Sequence, residues 1–287
     1  MSAMSLPSRY WADLSHHDFA RLHASGLIQR SIAVLPVAAT EQHGPHLPLS
    51  VDTVLVDGII AAALAHLAVD VPVLFLPTQA IGLSPEHARF AGTLTLKNET
   101  VLRLWTDIAE SVAAAGVSKL LLFNSHGGNV SVMDLVARDL RARLSLLVYR
   151  CSWFDLPLRD AVGNDLATQF DALEHRFGIH AGAIETSMML ALQPQRVDMA
   201  QARDFASSAQ QRAKQFDIIG NGKSAKWGWQ MQDYNRSGAV GNAASADGEK
   251  GRAWVDAAGR ALAQVLVEID RLPAGMLVDG PEPAGLG

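Results

Sequence analysis

A single cysteine, Cys151, is present in 287 residues. An intrachain disulfide framework is therefore excluded, and a lone thiol suits a reducing cytoplasm, which is the expected location. Clustered positive charge is also missing: Lys and Arg number 24 against 29 Asp and Glu, for a net charge of −5 with no basic block. That balance argues against a nucleic-acid surface, so no nucleic-acid partner is expected. Uninterrupted apolar runs are lacking too. The most apolar stretch, around residues 59–77, is broken by His66 and Asp70, so neither a membrane helix nor a membrane partner is expected. Near the start, Ser8-Arg9-Tyr10-Trp11-Ala12-Asp13 interrupts any apolar core that a secretory signal would need. No internal repeat or long linker divides the sequence. A single domain over residues 1–287 is expected, with 273–287 as a flexible tail.

What is present is the composition of a folded enzyme. Apolar residues make up 49 % and charged residues 18 %, too apolar for disorder, and the length supports a large core. Strand-like and helix-like patterns alternate. Residues 32–39, 71–76, 119–123 and 144–149 read as strands. Helices are expected over 54–67, over 99–115 behind an Asn98 cap, after an Asn129 cap with Val132, Leu135, Val136 and Leu140 as its apolar stripe, over 181–192 and over 252–272. Strands of near-continuous apolar content separated by helices predict a mostly parallel sheet covered on both faces. Residues 218–250, rich in Gly, Ser, Asn and Ala, read as a long loop of the kind that carries function.

The most informative segment directly follows the first strand. Glu41-Gln42-His43-Gly44-Pro45-His46, with Asp52 beyond it, packs carboxylates and imidazoles into a few residues. Mixed oxygen and nitrogen donors suit Zn²⁺, Mn²⁺ or Fe²⁺ better than Ca²⁺. In an extended chain Glu41 and His43 point the same way and can reach one site. A second cluster, Phe123-Asn124-Ser125-His126-Gly127-Gly128-Asn129, sits between the third strand and its helix. Ligands of parallel α/β sheets gather there, outside the carboxyl ends of the strands. On its own this cluster reads equally well as a capped turn with a solvent-facing histidine; beside the first it points to function. The third is His180-Ala181-Gly182-Ala183-Ile184-Glu185. Glu185 among apolar neighbours needs a partner, either a metal ion or an arginine. His180 lies about 140° around a helix from Glu185, so it belongs to the preceding loop, beside the metals rather than on them.

Together these motifs resemble the creatininase (creatinine amidohydrolase) family, which also contains formamidopyrimidine deformylases and proteins that process peptide-derived redox cofactors. The resemblance runs from Leu35 to about Arg252, through Glu41 to Leu49, Asp52, Phe90-Ala91-Gly92-Thr93-Leu94, Asn124 to Asn129 and His180 to Ser187. It implies a three-layer α/β/α sandwich with a mostly parallel central sheet, commonly assembled as a homohexamer. It also implies that Glu41, His43, Asp52, His126 and Glu185 hold two divalent ions, Zn²⁺ and/or Mn²⁺ with Fe²⁺ also compatible, Asp52 bridging. His180 is then the expected catalytic proton donor, and Ser84 and His87 line the pocket as substrate contacts, His87 doing so or serving as a structural hydrogen-bonding residue.

The implied reaction is cleavage of a C–N amide bond in a small cyclic amide, lactam or creatinine-like molecule by a metal-bridging hydroxide. Formamide deformylation, or a non-catalytic maturation or binding role on the same fold, are the alternatives. Some positions depart from the family pattern. Ala183 stands where relatives carry a glutamate after His-Ala-Gly, and Gly128 where creatininase proper carries a glutamate ligand. Arg176-Phe177-Gly178-Ile179 replaces tryptophans and an acidic residue before the catalytic histidine. These changes speak against creatinine itself. Trp227 and Trp229 are expected in a lid and subunit interface, His16 and His17 in solvent, and Cys151 in the core.

Overall fold

A computed structural model describes residues 5–273, 276–278 and 280. Of the expected tail, residues 274, 275, 279 and 281–287 lie outside the described residues. The chain runs through α1 (His16–Ala24), α2 (Leu27–Arg30), β1 (Ile32–Val37), α3 (Val51–Leu64), β2 (Val73–Phe75), α4 (Asn98–Ala114), β3 (Lys119–Asn124), α5 (Val130–Arg143) and β4 (Leu147–Ser152). It continues through α6 (Ala172–Phe177), α7 (Ala183–Leu192), β5 (Asp204–Phe205), α8 (Ala209–Gln215), α9 (Met231–Tyr234), β6 (Gly241–Asn242) and α10 (Gly248–Arg271).

A four-stranded sheet of order β2-β1-β3-β4 forms the middle layer, and all its pairings are parallel. The register sets Val37 opposite Asn124 and Asn124 opposite Ser152, so the carboxyl ends of β1, β3 and β4 lie level. Side-chain alternation divides the buried residues. Ile32, Val34, Leu121 and Phe123 pack with α3, α7 and α10, whereas Ala33, Leu35, Leu120 and Leu122 pack with α4 and α5. This is the expected α/β/α sandwich.

Local chemistry sets the helices. In α10, Trp254, Ala258, Leu262, Leu266 and Ile269 form one buried stripe, and the Asp247 carboxylate accepts hydrogen bonds from the Glu249 and Lys250 amides at its start. Where α10 crosses α3, a Cβ on Gly259 would lie 2.6 Å from the Ala62 Cβ, so this crossing requires a residue without one.

Several element boundaries differ from the sequence expectation. β2 is shorter than 71–76, and β4 spans 147–152 rather than 144–149, because Leu146 turns back to the Leu144 carbonyl at 2.7 Å before pairing begins at Leu147. β4 is an edge strand, with Tyr149 and Arg150 exposed, so the sheet is not fully covered there. Helix α3 begins at Val51, which places Asp52 in its first turn. α4 begins at Asn98 itself, with Lys97 as its cap residue. α7 begins at Ala183 and α10 at Gly248. The 218–250 segment is not loop throughout, since α9 and β6 fall within it. Asn129 does precede α5, but its side chain accepts from the Leu83 amide and donates to the Ala38 carbonyl instead of capping the helix. His16 and His17 are exposed. Cys151 is half-buried on β4, where burial pushes its thiol up to about 12. No described helix is long and apolar enough to cross a membrane.

Candidate metal centre

The three sequence clusters converge at the level carboxyl ends of the sheet. Glu41 and His43 follow β1, Asp52 sits in the first turn of α3, and His126 follows β3. Glu185 lies in the first turn of α7, and His180 in the loop before it, paired through its backbone with Val240. Ala181 between them has φ 56, a left-handed conformation that costs a non-glycine residue of order 1–3 kcal/mol. Its amide donates to the Glu185 Oε2 at 2.5 Å, fixing the carboxylate that the turn brings round.

Two candidate ligand groups share one residue. Glu41, Asp52 and His126 offer donor atoms within 4.8 Å of one another, and so do His43, Asp52 and Glu185. Within the first, His126 Nδ1 is 3.2 Å from Glu41 Oε1 and 3.6 Å from Asp52 Oδ2. Within the second, His43 Nε2 is 3.7 Å from Asp52 Oδ1 and 3.9 Å from Glu185 Oε2. The two Asp52 oxygens thus face different groups. Glu41 also meets His43 and His180 in one further group, and Glu86 and His87 in another.

Surrounding hydrogen bonds decide which imidazole nitrogens are free to bind a cation. His43 Nδ1 donates to the Glu41 carbonyl at 3.0 Å, so Nε2 is the nitrogen that offers a lone pair once its proton is lost. His126 Nε2 donates to the Leu83 carbonyl at 2.9 Å, leaving a lone pair on Nδ1. His180 Nε2 donates to the Gln42 carbonyl at 2.7 Å, so its bare Nδ1 faces Glu41 Oε1 at 3.7 Å. His87 differs. The Gln42 amide is oriented by the Gly44 amide at its oxygen (2.9 Å) and by the Gly238 carbonyl at its nitrogen (2.8 Å). That nitrogen therefore donates to His87 Nδ1 at 2.7 Å, and the His87 proton must sit on Nε2, 3.4 Å from Glu41. His87 presents a donor where His43 and His126 present lone pairs. The rings of His43, His180 and His87 lie in series, tilted by 34° at each step, with centroids 4.1 and 4.3 Å apart.

The buried charge is unbalanced without cations. Burial, opposed by His43 and the Ala181 amide and reinforced by Asp52 and Glu41, pushes the Glu185 carboxyl up to about 7. Burial opposes a proton on His43, yet Asp52, Glu185 and Glu41 outweigh it and raise His43 to about 9. Burial likewise opposes charge on Glu41, but His126, His87 and His180 hold its carboxyl well below the usual range. Both Glu41 oxygens, His43 Nε2 and Asp52 Oδ2 are nevertheless buried with no hydrogen-bond partner. Buried polar atoms are normally satisfied, so unpartnered ones converging on a point fit a cation as the partner. These residues fit divalent metal ions.

A cavity of 660 Å³ opens onto this cluster. Glu41, Asp52, His126, His180 and Glu185 line it, and Trp153, Phe154, Leu156, Trp229 and Trp254 form an apolar wall. His87 lines it as expected; Ser84 instead lies behind His126, its hydroxyl 3.2 Å from Nε2. Trp229 lines this cavity, whereas Trp227 lines a neighbouring one. His46, despite its place in the first motif, turns to Thr186 Oγ1 at 2.9 Å, stacks on Phe205 and is pushed down to about 4 by burial.

Sequence reasoning missed Gln42, Glu86 and Glu174. Glu86 lies 3.4 Å from His126 Nε2. Glu174 is buried beside the loop that carries His180, accepting from the Ala183 amide at 2.5 Å and the Asn242 amide at 2.8 Å. Gln42, adjacent to Glu41, carried a local signal; Glu174, from a separate helix, carried none. Gly128 is small for a reason: a Cβ there would lie 2.4 Å from His126 Nε2 and 2.5 Å from Glu86 Oε1.

The creatininase (creatinine amidohydrolase) family profile matches residues 13–266. The chain belongs to the creatininase family. It is 40% identical over 115 residues to a mycofactocin precursor peptide peptidase of Mycobacterium tuberculosis, a match covering 38% of this chain and 45% of that protein. It is 31% identical over 185 residues to a creatinine amidohydrolase of Pseudomonas putida, covering 60% of this chain and 68% of that protein. A crystal structure of creatinine amidohydrolase superposes with a TM-score of 0.72 at 24% identity, covering 93% of this chain and 100% of that chain. A manganese creatininase does so at 0.70 and 25% identity, covering 91% and 98%. The creatininase fold is therefore shared along nearly the whole chain; of the departing positions, Gly128, Gly178 and Ile179 line this cavity, whereas Arg176 and Phe177 line the neighbouring one.

Proposed function

We propose that this creatininase-family chain is a dinuclear metal amidohydrolase that cleaves a C–N amide bond. The observation that carries the reading is the set of unpartnered buried atoms on Glu41, His43 and Asp52, flanked by ligand groups that share Asp52. In this reading Glu41, His126 and Asp52 hold one ion, and His43, Glu185 and Asp52 the other. Zn²⁺ and Mn²⁺ both suit such donors, as does Fe²⁺. Divalent ions held there would supply Lewis acidity, making water a better nucleophile at neutral pH and an amide carbonyl more electrophilic.

The chain's own groups supply the rest. His180 Nδ1, bare and facing the cluster, takes the proton from the attacking water and returns it to the departing nitrogen, so water divides into the new acid and the released amine. Gln42 holds His87 as an Nε2–H donor toward the substrate oxygen. Glu174 fixes the backbone from which His180 projects. The apolar wall excludes bulk water from these steps.

The cavity bears on the substrate. At 660 Å³ it falls in the range of about 300–1,000 Å³ that holds drug-sized ligands. An amide carrying a bulky apolar or aromatic group fills that space better than a single small ring, which favours a peptide-like amide over creatinine. The homohexamer implied by the resemblance and the cytoplasmic location expected from the lone cysteine belong to the same proposal.

The test is a hydrolysis screen of the Zn²⁺- and Mn²⁺-reconstituted protein against cyclic amides, lactams, formamides and short N-acyl peptides. Turnover of one class, lost in Asp52→Asn, supports the reading. Full metal loading with no turnover of any class returns the chain to a binding role.

A further inference from the structure

A second cavity, of 380 Å³, adjoins the first and shares Ile179 and Trp229 with it. Its chemistry is opposite. Arg176, Arg212 and Lys226 line it, and no carboxylate does. This concentration of cations stands on a chain whose net charge is −5.

Arg212 is held in an aromatic clamp. Its guanidinium carbon lies 5.0 Å from the Trp227 ring and 5.0 Å from the Tyr234 ring. Nη1 donates to Ser208 Oγ at 2.9 Å, whereas Nη2 is buried with no hydrogen-bond partner. Arg176 lies over the Phe177 ring at 4.9 Å. None of the three cations meets a carboxylate among the described residues, unlike Arg30, Arg143 and Arg150, which each pair with one. A buried guanidinium nitrogen without an acceptor is costly, and a planar carboxylate is the acceptor that matches it.

We infer that this second cavity is a carboxylate-binding subsite, and that the substrate spans both cavities with its amide at the metal cluster and a carboxylate at Arg176 and Arg212. The inference rests on the amidohydrolase reading for what happens at the cluster, and on the basic cavity alone for the anion. Ile179 directly precedes His180, so a ligand passing Ile179 and Trp229 reaches the proposed proton carrier. The carboxylate is either the end of a peptide or that of a small acid, and substrate length separates the two.

The metal-reconstituted enzyme is assayed with N-benzoylglycine and short N-benzoyl peptides, each as the free acid and as the carboxamide. Free acids should be preferred about tenfold or more in kcat/KM, carried by KM, as a hydrogen bond to a charged group predicts. Arg176→Gln and Arg212→Gln should each collapse that ratio toward one, while Arg138→Gln, on the opposite helical layer, keeps it. A preference confined to N-benzoylglycine indicates a small acid; one that persists with peptides indicates a chain terminus.

Binding of phenylacetate, which has no amide, is followed in parallel by tryptophan fluorescence, and both variants should weaken it. Arg176 is exposed, so its replacement keeps the test valid if Arg212→Gln disturbs the clamp. Cleavage with no preference for acids overturns the subsite and leaves the amidohydrolase reading standing. Variant-sensitive phenylacetate binding without any cleavage does the reverse. Phenylacetate binding indifferent to both variants, with no cleavage, overturns the inference.

Discussion

Lys119 opens β3 and Asn124 closes it, and the buried polar groups around these two ends are treated in opposite ways. At the opening end the Lys119 ammonium is buried but donates to the carbonyls of Ile269, Asp270 and Leu272 at 2.9, 3.0 and 3.4 Å. It caps the end of α10, where the helix dipole and unpaired carbonyls favour a cation. Nearby, Arg30 meets Asp270 at 2.7 Å. At the closing end, Glu41, His43 and Asp52 converge with buried atoms that have no hydrogen-bond partner. One end of the sheet satisfies its buried charge from within; the other leaves buried polar atoms without a partner. Structural charge and functional charge differ here in satisfaction rather than in burial.

The largest effect that would test this contrast comes from Asp52, which serves both ligand groups. Asp52→Asn should abolish turnover and reduce bound metal to below one ion per chain, read by elemental analysis of the dialysed protein. Retention of both ions would remove the bridging role. Lys119→Met should do the reverse, costing about 1–3 kcal/mol of stability in denaturant titrations with metal content unchanged. If metal content fell as well, the two ends would not be independent.

Chelation should lower Tm in the wild type, because ions bound at about a thousand times their Kd contribute ~4 kcal/mol per site. The same chelator should leave Tm of Asp52→Asn unmoved. The pH dependence has a definite sign. His43, raised to about 9, holds a proton at neutral pH in the metal-free protein and must lose it to offer Nε2. Metal binding should therefore release protons, and affinity should rise with pH until about 9. Calorimetry in buffers of different ionisation enthalpy measures the release, and none at pH 7 would contradict the charge assignment.

Smaller effects are expected farther from the ions. Gln42→Leu frees the His87 tautomer and should lower kcat by about 10–100-fold, a typical cost of losing an outer-shell partner, with both ions retained. Cys151, pushed up to about 12, should resist iodoacetamide at pH 8 until the protein is unfolded.

The contrast between the two ends was half legible in the sequence. Glu41 and His43 follow one apolar strand and His126 another, so the strand pattern pointed to the carboxyl end of the sheet, while the grouping of Asp52 and Glu185 with them was implied by the family resemblance. The element order and parallel pairing followed from the same alternation. What stayed hidden depends on contacts between distant segments. Gln42 acts through the carbonyl of Gly238, Glu174 through the amides of Ala183 and Asn242, and Lys119 through the end of α10. The Ala181 turn was invisible because alanine gives no sign of a left-handed backbone. The strand ends were misjudged where a tight turn at Leu144–Leu146 competed with an apolar run. The basic cavity was missed because Arg176 and Arg212 lie in separate segments that meet only in three dimensions.

Two cations on a shared Asp52 at the closing end of the sheet would be visible in anomalous diffraction from crystals of the Zn²⁺- or Mn²⁺-loaded protein. Two peaks about 3.5–4 Å apart, one between Glu41 and His126 and one between His43 and Glu185, with an Asp52 oxygen on each, are the expected result. A single peak, or one coordinated by His87 and Glu86 without Asp52, would contradict it.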